Sequence, residues 1–240
     1  MIPPQEILVA TRSAGKLREL VPLLADFGCR AISLDDAGIA EQPEENDIEC
    51  FDTFEENACA KARYFAERSG GRLVLADDSG LCVDSLGGAP GVLSKRWAGS
   101  RASGQRLDDD NNATLLAELA SCDGAARGAA YVCVAAMAHA GSQDGAHEGA
   151  HEGAHEGSRS PRDLHRVHWA RGETRGVIAR EPQGSNGFGY DPYFVSDDLR
   201  KAFGIATREE KARVSHRARA VRAVCQQWAE HARNKTLSDS

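Results

Sequence analysis

Short apolar runs alternate with apolar residues at helical spacing along the first half of the chain. "EILVA", residues 6–10, is a compact apolar run that predicts a first strand, and Leu17, Leu20, Val21 and Leu24 then recur with the period of a helix. The "TRSAGK" segment between them is read as a strand-to-helix turn. Further on, "TFEENACAKARYFAERSGG" predicts a second helix. Thr53 and Glu56 have capping-box spacing, Phe54, Ala58, Ala62 and Phe65 form one apolar face, and Gly70 and Gly71 end the pattern.

"RLVLA" predicts a buried strand that delivers Asp77 and Asp78 to its end, and "LCVDSL" resumes the strand pattern after Ser79 and Gly80. A glycine-rich loop, "GGAPGV", follows; residues 110–119 predict a helix and "AAYVCVAAMA" a central strand. "HRVHWARGETRGVIA" alternates like a strand, and "EPQGSNGFGYDPYF" reads as a loop. Thr207 and Glu210 repeat the capping-box spacing, and Val214, Ala218, Val221, Cys225 and Trp228 mark one face of a final helical region. The polar tail "RNKTLSDS" is expected to fray. Strands interleaved with helices predict an α/β protein.

The totals narrow the function. The chain has 240 residues, 41% of them hydrophobic and 27% charged, enough for one domain with a real core. A net charge of −7 argues against a broad nucleic-acid or anionic-membrane footprint while leaving room for a small anion in a local basic pocket. The N-terminus lacks the basic region of a signal peptide, and the longest apolar stretch, residues 129–138, is too short to span a bilayer, so a soluble cytoplasmic protein is expected. Seven cysteines without a C-x-x-C pair suggest neither zinc nor a disulfide framework.

"GAHEGAHEGAHEG", residues 145–157, is a tandem repeat with His147, His151 and His155 at i,i+4 spacing. A glycine in each unit costs a helix about 1 kcal/mol per position, so a low-complexity loop insertion over about 141–161 is favoured over a metal-binding helix.

Four stretches could carry chemistry. A turn entering a helix presents unpaired N–H groups and a positive dipole end to an anion, and Lys16 adds a full charge. Ala10 and Leu17 replace the first glycine and the final hydroxyl of a P-loop, which disfavours a P-loop NTPase or kinase. In "LADDSG", two adjacent carboxylates on an apolar strand need cationic partners, a divalent metal among them. In "GFGYD", Phe188 and Tyr190 could face a planar base and Asp191 accept a hydrogen bond from it; in "KARVSHR", Lys211, His216 and Arg217 are candidate donors.

Taken together, "TRSAGKLREL", "TFEENACAKA", "ADDSGLCVDSLGGAPGV", "GFGYDPYF" and "REEKARVSHRARA" resemble, in order and across nearly the whole chain, the inosine triphosphate pyrophosphatase family. The resemblance implies an elongated mixed β-sheet with flanking helices and two lobes around a central cleft, within a single domain over residues 1–232 that is followed by a flexible tail, 233–240. It also implies a homodimer and Mg²⁺-dependent hydrolysis of ITP, dITP or XTP to the monophosphate and pyrophosphate.

Carried onto this chain, Thr11, Arg12, Ser13, Ala14, Gly15 and Lys16 bind the triphosphate and Asp78 is the catalytic carboxylate and a metal ligand. Ser79, Phe188, Gly189, Tyr190, Asp191, Lys211, His216 and Arg217 contact the nucleotide. The second metal ligand is Glu45 by chain order or Glu49 by its spacing to Thr53. Ser13 stands where the family usually has Asn. A non-catalytic nucleotide- or RNA-binding module is the rival reading, and it predicts binding without turnover.

Overall fold

The computed structural model describes residues 5–139 and 167–238. One seven-stranded sheet, ordered β2-β1-β3-β4-β5-β6-β7, organises the chain. β1 (Glu6–Val9) lies parallel to β2 (Arg30–Ser33) and to β3 (Leu73–Val83). β4 (Gly128–His139), β5 (His168–Ile178), β6 (Phe194–Ser196) and β7 (Lys201–Ala202) continue it in antiparallel fashion. This is the expected mixed sheet with flanking helices. The proposed insertion at 141–161 lies outside the described residues.

Alternation along β3 divides the core. Val74 and Ala76 face α2 (Phe54–Arg68), joining Ala58, Ala62 and Phe65. Leu73 and Leu75 face α1 (Ala14–Ala25) and α5 (His216–Ser238), joining Leu20, Leu24, Val221 and Val224. A third cluster gathers Leu81 and Val83 with Leu115 and Leu119 of the α3 region (α3, Gly104–Glu118), and with Tyr131, Phe194 and Phe203. Burial of a ring such as Phe65 contributes about 1.5–3 kcal/mol, so each layer is fixed mainly by its apolar stripe.

The predicted helix starts are present. Thr53 Oγ1 accepts from Glu56 N at 3.2 Å, and Thr207 forms a full capping box with Glu210 at the start of α4 (Arg208–Val214). Each such cap contributes about 1 kcal/mol. Ser215, with extended backbone, separates α4 from α5. The tail departs from expectation, because α5 continues as helix through Ser238; no glycine or proline interrupts it there.

The reading of "RLVLA" as a strand ending at two aspartates is also corrected. β3 runs unbroken through Asp77, Asp78, Ser79 and Gly80, because β4 pairs with it along its whole length, Asp77 opposite Ala135 and Asp78 opposite Val134. What ends near the aspartates is β1, whose last support of β3 is the bond from Ala10 N to Leu75 O, 2.8 Å. Farther along, residues 89–94 cover the same edge: Val83 N donates to Ala89 O and Leu81 N to Ser94 Oγ. Between these two supports, no strand among the described residues covers the β1-side edge of β3 at Asp77–Gly80.

Candidate active site

The notch in β3 receives the start of α1. Ser13 caps that helix, its Oγ accepting from Lys16 N at 3.3 Å, while Ser13 N donates to Thr11 Oγ1 at 3.1 Å. The N–H groups of Ala14 and Gly15 have no acceptor among the described residues, which leaves the helix's positive end able to take an anion. Lys16 Nζ reaches across to Asp77, 3.2 Å from Oδ2 and 3.3 Å from the backbone carbonyl. Gly15 leaves room for the Phe188 ring, from which a Cβ there would stand 2.8 Å.

Arg12 does not join this group. Its guanidinium makes a bidentate pair with Glu45 at 3.1 and 2.9 Å and also contacts Asp35 and the Ile39 carbonyl. The hydrogen bond to Glu45 raises the Arg12 pKa further.

Alternation along β3 sends the two aspartates to opposite faces. Asp77 is fully buried, and its Oδ2 accepts from Arg217 Nε at 3.0 Å as well as pairing with Lys16. Burial alone would raise its pKa, but Lys16, Arg217 and Lys61 together hold it well below the usual carboxylate range. Its other oxygen, Oδ1, is buried without a partner among the described residues.

Asp78 faces α2. Its Oδ2 accepts from Asn57 Nδ2 at 3.0 Å and its Oδ1 from Ser79 N at 2.9 Å. Here burial prevails over the opposing fields of Lys16 and Lys61, and Glu49 reinforces it, so Asp78 is more basic than an ordinary aspartate. Glu49 pairs with Lys61; although burial raises its pKa, Lys61 and Lys16 lower it overall.

The structure separates Glu45 from Glu49, the two candidates for the second carboxylate that the sequence left open. Arg12 occupies both Glu45 oxygens, whereas Glu49 is the carboxylate whose charge is felt at Asp78. Among the described residues, no three His, Cys, Asp or Glu side chains converge as a ready-made metal centre.

The far wall comes from α4, α5 and the loop before β6. Arg217 donates from Nη2 to Ser79 Oγ at 2.7 Å and pairs through Nη1 with Glu19 of α1. Lys211 Nζ lies 2.7 Å from Glu19 Oε1 and 2.5 Å from Asp191 Oδ2. Burial would raise the Glu19 pKa, but Arg217 and Lys211 bring it down to about 2. Asp191 also accepts from Phe188 N at 2.9 Å. Gly187, at φ +80°, makes that contact possible: a Cβ would fall 1.9 Å from Asp191 Oδ2.

His216 stacks on Tyr131 with ring centres 4.6 Å apart, and its Nδ1 is buried without a partner among the described residues. Burial, then the charge of Arg217, hold it well below the usual histidine pKa, so it is neutral.

Of the two aromatics in "GFGYD", only Phe188 belongs to this wall, with Lys211 Nζ 5.2 Å and the Arg217 guanidinium carbon 5.7 Å from its ring centre. Tyr190 is corrected: its ring packs in the third core cluster and its hydroxyl donates to Ser94 O at 2.8 Å. Gly189 is tied away towards α3, its N–H donating to Asp108 and its carbonyl accepting from Asn112. A cavity of about 480 Å³ behind this loop borders the site at Phe188.

The structure brings Lys16, Asp78, Ser79, Asp191, Lys211, His216 and Arg217 together around the notch. Asp77 as an ion-pair centre, Glu19, Asn57 and Lys61 were missed. The signals were present: Asn57 and Lys61 fall on the apolar stripe of α2, and Glu19 sits one turn after Lys16.

The Ham1 family model matches residues 7–227. The dITP/XTP pyrophosphatase of Yersinia pseudotuberculosis is 42% identical over 219 residues, covering 91% of this chain and 95% of the relative, and that of Bacillus subtilis is 36% identical over 222 residues, covering 92% and 96%. Among solved structures, a Ham1 protein from Coxiella burnetii superposes with a TM-score of 0.70 at 31% identity, covering 94% of this chain and 99% of that one. A nucleoside-triphosphatase, or dITP/XTP pyrophosphatase, from Mycobacterium abscessus gives a TM-score of 0.61 at 37% identity, covering 92% and 98%. With the family match and these relatives each spanning about nine-tenths of the sequence, the chain belongs to the Ham1 family.

Proposed function

We propose that this protein hydrolyses deaminated purine nucleoside triphosphates, ITP, dITP and XTP, to the monophosphate and pyrophosphate. The observation that carries the reading is the convergence of Lys16, Lys61 and Arg217 on adjacent buried carboxylates at the uncovered edge of β3, beside a helix start. The pyrophosphatase names of the relatives support it.

Mg²⁺ fits the donor set. It takes one or two carboxylates from a protein and completes its shell with phosphate oxygens and water, and Asp78 with Glu49 supplies two hard oxygen donors in one cluster. When bound, it supplies Lewis-acid neutralisation of the phosphate charge.

Within this site, Asp78 orients the attacking water and takes its proton, a role suited to a carboxylate made more basic by burial. The water oxygen forms a bond to the α-phosphorus as the bond to the bridging oxygen breaks. The electron pair leaves with pyrophosphate, which Lys16 and the α1 N–H groups stabilise. Lys61 and Arg217 hold Asp77 ionised and their charges in place. Phe188 offers an apolar face to the base. Donors from neutral His216 and from Arg217 suit a 6-oxo purine, and the 6-amino group of adenine would leave them unpaired.

On the same reading the chain is a single two-lobed domain that works as a cytoplasmic homodimer. All seven cysteines are free, as a reducing compartment favours, and Trp169 and Val177 of β5 are exposed as a dimer face would be. No helix among the described residues is long and apolar enough to cross a membrane. A panel of ITP, dITP, XTP, GTP and ATP, assayed for pyrophosphate with and without Mg²⁺, tests the proposal. Metal-dependent release from the first three, with the last two much poorer, is expected; orthophosphate as product, or binding without turnover, would refute it.

A further inference from the structure

At the opposite end of the β5–α5 layer, Gly172 lies against the first turns of α5, Ala170 shares a core cluster with Val224, and His168 meets Trp228 and His231. His168 therefore sits about 13 Å along the strand from Gly172, clear of the notch. Its ring centre is 4.7 Å from that of His231, the planes are tilted by 54°, and Trp228 packs edge-on against His168 at 5.3 Å. Neither imidazole has a hydrogen-bond partner among the described residues.

We propose that His168 and His231 form a surface site for a divalent transition metal of the zinc, nickel or copper class, pinning the end of α5 to the start of β5. Imidazole nitrogen is the donor these ions favour, and copper heads the affinity order. Two nitrogens each about 2.0–2.1 Å from one ion stand roughly 3.3 Å apart, a separation that rings 4.7 Å between centres can present by small χ rotations. The second coordination half is left to water. One imidazole comes from a strand and the other from a helix, so the ion crosslinks two elements and stabilises the fold that holds them.

The repeat histidines can also bind metal, so the readout must be local. Trp228 touches both rings, and Cu²⁺ quenches tryptophan fluorescence at short range. Cu²⁺ titration of the full chain is expected to give a saturable quench, reduced in Trp228→Phe, where Trp169 beside His168 remains, and lost in His168→Ala and in His231→Ala. Zn²⁺ is expected to raise Tm for the parent chain and not for His231→Ala. His231 is exposed, so that variant keeps its fold even where His168→Ala does not. A saturable quench of parental size in His231→Ala, or no saturable quench in the parent, would overturn the site.

Discussion

Glu19→Gln isolates the charge that joins α1 to the far wall of the site. The carboxylate is 21% exposed and serves two cations at once, Lys211 at 2.7 Å and Arg217. Its pKa of about 2, against an ordinary 4.5, is a shift of about 2.5, or roughly 3 kcal/mol at 1.36 kcal/mol per unit. That matches the lower end of the roughly 3–5 kcal/mol expected when one partner of a buried ion pair is removed. For a chain of this size, Tm should fall by about 6–12 °C.

The pH dependence gives a second, independent reading. A folded pKa below the unfolded one contributes stability that is full above about 4.5 and is lost as the pH falls towards 2. The stability gap between parent and Glu19→Gln, measured by urea unfolding, should therefore be about 3 kcal/mol at pH 7 and shrink on acidification. A gap that stays constant with pH, or a Tm within about 2 °C of the parent, would refute the reasoning.

Three other perturbations test the rest of the site. Lys61→Met keeps the buried stem and deletes the cation beside Asp77, Asp78 and Glu49; turnover should fall about 10²–10³-fold in a steady-state assay, and a loss under threefold would remove Lys61 from the machinery. Gly15→Ala sets a methyl 2.8 Å from the Phe188 ring and should raise KM more than it lowers kcat, with unchanged kinetics showing that the ring moves aside freely. Deleting residues 145–157 should leave the rate nearly unchanged, and a large loss would give the repeat a part in the reaction.

Local signals carried much of this structure. The caps at Thr53 and Thr207 and the α2 stripe are set by neighbours three or four residues apart, which periodicity reports directly. The continuity of β3 was hidden because two aspartates interrupt an apolar pattern, and what sustains the strand is β4, more than fifty residues away. Glu45 and Glu49 were equivalent along the chain until Arg12 folded onto one of them. Phe188 and Tyr190, two residues apart in a glycine-rich loop, were likewise indistinguishable until the ring of one met Gly15 and the hydroxyl of the other met Ser94. Glu19 lay on a visible helix face, but its partners come from the other end of the chain.

Asp78→Asn puts the central claim to its most direct test. The amide nearly preserves the shape, keeps an oxygen to accept from Asn57 or from Ser79 N, and cannot take a proton from water. With Mg²⁺ and saturating ITP, pyrophosphate release should drop to background while circular dichroism and Tm report an intact fold. Release near the parental rate from that folded variant would contradict the assignment of the chemistry to Asp78.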